Sequence, residues 1–62
     1  METETFEVKV FGIGKPALEE AVGKALIFFG IKELGSDVEY NAEHYGIIDG
    51  KATIKFRFTK WL

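Results

Sequence analysis

The chain has 62 residues, enough for one domain and no second. Apolar residues make up 47%, so it can bury a core, and eight basic against ten acidic residues leave a net charge of −2, the wrong sign for a protein that lives by neutralising phosphates. Cysteine is absent, which excludes disulfide staples, thiolate metal sites and cysteine catalysis, and a single histidine and a single serine leave little for enzyme chemistry. The longest apolar run, Ala25 to Phe29, is far too short to cross a bilayer, and no secretory leader opens the sequence, so a cytoplasmic, non-enzymatic protein is expected. Gln is missing, Asn and Met occur once each, and Glu plus Lys supply 15 residues, a composition that leans toward a thermophile.

The first element is a strand over Thr5 to Phe11: Phe6, Val8 and Val10 alternate with Glu7, Lys9 and Phe11, giving one buried face. Gly12-Ile13-Gly14 breaks it. Lys15-Pro16 then opens a helix, with proline expected at the first helical position and Glu19 and Glu20 close to the positive end of the dipole. Leu18, Val22, Ala25 and Phe29 recur at helical spacing, with Ala21 and Leu26 alongside. The helix is expected to end near Phe29 with Gly30 as a left-handed cap, followed by a short turn over Lys32 to Leu34.

Two more strands follow. Asp37 to His44 sets Val38, Tyr40, Ala42 and His44 against Glu39, Asn41, Glu43 and Tyr45. Lys51 to Thr59 sets Ala52, Ile54, Phe56 and Phe58 against Thr53, Lys55, Arg57 and Thr59. Asp49-Gly50 between them signals a hairpin. A plain two-residue turn would put Ile54 opposite Tyr45 but Phe56 opposite Glu43 and Phe58 opposite Asn41, mixing core and solvent faces. A three-residue loop, Ile48-Asp49-Gly50, pairs Phe56 with Ala42, Phe58 with Tyr40, Lys55 with Glu43 and Arg57 with Asn41, and is the reading preferred here. It expects Gly50 left-handed and Asp49 at negative φ.

The order strand, helix, strand, strand predicts an α+β domain spanning 1–62. A right-handed crossover makes the first two strands parallel, and the most regularly apolar third strand fits between them. The sheet is then antiparallel or mixed, three-stranded, of order 1-3-2, with one helix packed on one face. The expected core is Phe6, Val8, Val10, Leu18, Val22, Ala25, Phe29, Val38, Tyr40, Ala42, Ile54, Phe56 and Phe58.

Apolar residues left over after that core, namely Ile27, Phe28, Ile31 and Leu34, point to a homo-oligomer, because a domain this small is marginal alone. The opposite sheet face is a polar platform whose Glu39, Asn41, Glu43, Tyr45, Lys55 and Arg57 are the candidate small-ligand contacts. Other chemistry is thin. Gly12-Ile13-Gly14-Lys15 precedes a helix N-terminus, where an anion can sit, but matches neither a P-loop nor a dinucleotide fingerprint. His44 lacks an orienting partner. Glu39, Glu43 and Asp49 could meet a hard cation but have no calcium-loop spacing. Lys55, Arg57 and Lys60 interleave with aromatics, yet Phe56 and Phe58 belong to the core, so membrane and nucleic-acid partners are not expected, and the residues name no metal or cofactor.

Gly12 after the first strand, Leu18-Glu19-Glu20-Ala21-Val22 in the helix and Ile48-Asp49-Gly50-Lys51 at the hairpin resemble the dodecins, small flavin-binding proteins that assemble into hollow shells. The resemblance runs from Phe6 to Trp61 and implies the fold and self-assembly. The dodecin flavin site uses a Trp near the start of the second strand and a Gln. Here that stretch reads Ser36-Asp37-Val38 and Gln is absent, so the flavin site is not carried over. Leu18-Glu19-Glu20-Ala21 and Asp37-Val38-Glu39 are also similar to the N-terminal domain of Jag-type RNA-binding proteins. The expected function is a self-assembling small protein that binds or sequesters a small ligand; the alternative is an interaction module for a protein or RNA partner.

Overall fold

A computed structural model describes residues 2–62, with 43–45 described by their place in a strand alone. Four elements follow the chain: β1 (Thr3–Phe11), α1 (Gly14–Phe29), β2 (Val38–Ile48) and β3 (Lys51–Trp61). β3 lies in the middle of a three-stranded sheet of order β1-β3-β2 and is antiparallel to both neighbours. The α+β class, with one helix on an antiparallel sheet, is as the alternation and helical spacing imply. All three strands run two to four residues beyond the segments expected from alternation.

α1 starts at Gly14, so Pro16 stands third in the helix rather than first. The position suits it equally, since none of the first N–H groups has an intrahelical acceptor. Ile13 occupies the cap without a side-chain hydrogen bond, and no acidic residue lies in the first turn, so Glu19 and Glu20 sit too far along to favour the dipole as expected. The other end follows the sequence reading. Gly30 is left-handed at φ 68°. Its N–H bonds the Ile27 carbonyl and the Ile31 N–H bonds that of Leu26, closing the helix in a Schellman motif.

The helix meets the sheet through alanine. Ala17, Ala21 and Ala25, one turn apart, are buried with Val10, Phe56 and Phe58. Small side chains let the helix axis come close to the strands, and the larger Leu18, Val22 and Phe29 are left half-buried on the flank. Ala17 and Ala21 lie outside the expected core, yet their position on the stripe with Ala25 buries them almost completely. The helix lies against β1 and, more lightly, β3, and approaches no described residue of β2. Tyr40 and Ala42, expected in the core, are therefore exposed, Tyr40 to 45%. Leu34 and Val38 half-close that side by packing on the core.

The hairpin corrects the expected loop. Ile48 pairs with Lys51, so the turn has two residues, and Asp49 (φ 53°) and Gly50 (φ 75°) are both left-handed, as a type I′ turn requires. Tyr45 is opposite Ile54, as that turn dictates. Yet Phe56 still meets Ala42 and Phe58 still meets Tyr40, because β2 carries one extra residue between Ala42 and His44. This β-bulge at Glu43 restores the apolar register that the three-residue loop had been invoked to provide. Lys55 consequently pairs with His44, not Glu43.

Because both central turn residues hold positive φ, Asp49→Val and Gly50→Val should each cost about 1–2 kcal/mol, while Asp49→Asn should stay within about 0.5 kcal/mol of the parent. Urea denaturation of the three variants measures this. A three-residue loop would instead leave Asp49→Val far milder than Gly50→Val.

Candidate functional site

The sheet face away from the helix is assembled row by row by strand pairing. Glu7 of β1, Arg57 of β3 and Asn41 of β2 form one row; Lys9, Lys55 and His44 occupy the next by register; Thr5, Thr59 and Glu39 form the row on the other side. Phe11 and Thr53 lie in the row beyond Lys9 and Lys55.

Glu7 is the hub of the described charges. Its Oε1 lies 3.3 Å from Lys55 Nζ, and its Oε2 accepts a hydrogen bond of 3.3 Å from Arg57 Nε. The hydrogen bond from Lys55 and then that from Arg57, with the charges of both, hold the Glu7 carboxyl below its ordinary value of 4.5. One carboxylate thus serves two cations. At the edge of the platform Lys51 Nζ sits 5.3 Å from the centre of the Phe11 ring, and Phe11 remains 55% exposed. Thr53 is buried beside it, its hydroxyl donating to the Lys51 carbonyl.

Of the six expected ligand contacts, Glu39, Asn41, Lys55 and Arg57 do share this face. The side chains of Glu43 and Tyr45 lie outside the described residues. The backbone register sets Tyr45 opposite Ile54. Glu7, the bridging carboxylate, and Lys9 stand on the same face outside the six expected contacts. The alternation of the first strand places both on this face, but only cross-strand register shows that Glu7 stands beside Arg57 and Lys9 beside Lys55.

The remaining candidates separate. Glu39 and Asp49 stand near opposite ends of β2, about 30 Å apart at strand rise, and cannot share a cation. No group of three metal-ligating side chains occurs among the described residues. The Gly12 N–H is committed to the Ala52 carbonyl at 2.8 Å. Among the described residues there is no enclosed cavity, and no helix is long and apolar enough to cross a membrane. Lys60, one of the three cations considered for base stacking, pairs instead with Asp37 at 3.2 Å at the far end of the sheet.

No known protein family, curated protein or solved structure matches the chain.

The lowered Glu7 value has a signed consequence. A carboxyl depressed in the folded state adds stability above its unfolded value, and that contribution is lost as pH falls through the folded value. Thermal melts should show the parent losing more stability than Glu7→Gln between about pH 5 and pH 3, with the gap between them closing at the acid end.

Proposed function

We propose that the protein is a non-enzymatic, self-assembling small α+β protein of the dodecin kind, carrying a small ligand on its outer sheet face. What supports this best is the gathering of exposed apolar residues at one end of the molecule. Pairing of Phe11 with Thr53, of Ile47 with Ala52 and of Ile48 with Lys51 brings the β1–α1 turn and the hairpin tip together. Phe11, Ile13, Ile47 and Ile48 are all exposed there, Ile47 to 69%. Exposed apolar residues gathered at one end of a small chain, on both faces of the sheet, favour contact with another macromolecule, and a second copy is the partner the reading selects.

The surface balance agrees. The chain exposes 4382 Å², against roughly 4,000 Å² for a compact monomer of its mass. The surplus is in part the one expected from the sequence: Ile27 is 83% exposed and Phe28, stacked on Phe6 at 4.6 Å, is still half exposed, whereas Leu34 packs on the core and Ile31 is half-buried. The hairpin end and the uncovered side of β2 add to it. A small ligand on a flat sheet face gains further burial when another copy closes over it.

Light scattering at micromolar concentration should show an oligomer. Ile47→Lys combined with Ile13→Lys should dissociate it while the far-ultraviolet circular dichroism of the fold is retained. A strictly monomeric parent removes the assembly reading.

A further inference from the structure

Lys9 and Lys55 are direct cross-strand partners on the open sheet face. Directly opposed like charges destabilise a sheet, so this pair works against the fold that contains it. Lys55 finds relief in Glu7 one row away, but Glu7 is shared with Arg57. Lys9 is exposed and pairs with no carboxylate among the described residues. Lys9, Lys55 and Arg57 thus gather beside Glu7 on strands rather than a loop, and among the described residues Lys9 has no carboxylate partner, in a chain whose net charge is −2. Strand partners stand about 5 Å apart, so both lysine ammonium groups can reach one small anion.

We infer that the Lys9–Lys55 pair is a seat for a small multivalent oxyanion, a phosphate or a dicarboxylate, and that this anion is the charged part of the ligand the platform takes. An anion between the two ammonium groups turns a repulsive pair into two charge-assisted hydrogen-bond donors aimed at one acceptor. Phe11, two residues beyond Lys9 on the same face and half exposed, borders the seat with an apolar ring. The inference rests on the reading of this face as the ligand platform and is independent of assembly.

Thermal melts at matched ionic strength test it, with inorganic phosphate, malonate and chloride at millimolar concentration, where general salting-out is small. Phosphate at tenfold saturation should raise the parent's Tm by roughly 5–10 °C over chloride. Lys9→Thr should melt higher than the parent in chloride, because the repulsion is gone, and should lose the phosphate increment. Lys24→Thr, on the helix and paired with Glu20, should keep that increment in full. A matching response to malonate assigns a general oxyanion seat and a response to phosphate alone a phosphate seat; either carries the inference. Equal effects of phosphate and chloride on the parent, or an undiminished increment in Lys9→Thr, overturn it. Light scattering on the same samples separates the two readings: an anion response in a monomer removes assembly alone, and assembly without an anion response removes this seat alone.

Discussion

Phe58 is the side chain around which the rest of the structure is arranged. It sits fully buried on the central strand, with Phe6 of β1 on one side and Tyr40 of β2 on the other as its direct partners. Ring centroids at 6.5 Å to Phe6, 5.6 Å to Tyr40 and 6.3 Å to Phe56 make a continuous aromatic layer across all three strands, and Phe28 and Phe29 extend it to the end of the helix. Aromatic burial of this size dominates a core in which alanines supply the helix side. Truncating it in so small a domain would remove a large share of the total stability.

The bulge in β2 follows from the same constraint. A two-residue Asp49-Gly50 turn fixes the pairing near the hairpin tip, and carried on unbroken it would turn Glu43 toward Phe56. That register would also move Tyr40 away from its place beside Phe58 and Phe56, and distorting one step of an edge strand avoids the loss. One extra residue resolves the conflict and keeps Ala42 and Tyr40 beside the phenylalanines. It also fixes the outer face, because His44 rather than Glu43 then shares a row with Lys9 and Lys55.

The alanine stripe has a cost on the opposite side. A helix drawn close over β1 and β3 does not also cover β2, one strand of the three, and only Leu34 and Val38 half-close that side. Tyr40, Ala42 and Ile47 are exposed as a result, and the turns meeting at the hairpin end add Phe11, Ile13 and Ile48. A single copy buries little for its length, and a second copy would recover some of that area, which is the physical basis for coupling assembly to stability in this protein.

Local sequence determined the elements and the stop at the end of the helix. Alternation in Phe6-Val8-Val10 and Ile54-Phe56-Phe58 could only be strands with one wet face, and Gly30 could only be a left-handed stop, because these are properties of neighbouring residues in one chain segment. The same alternation made Glu39, Asn41, Lys55 and Arg57 legible as one face. What the tertiary structure decided is what depends on residues far apart in sequence: that Ala17 and Ala21 rather than Tyr40 and Ala42 fill the core, that the hairpin keeps its tight turn by bulging β2, and that Glu7 joins Lys55 and Arg57 while Lys9 faces Lys55. Each required weighing a local preference, for a loop length or a side-chain volume, against packing with a different element, up to 50 residues away for Glu7 and Arg57, and no period in the sequence contains that comparison.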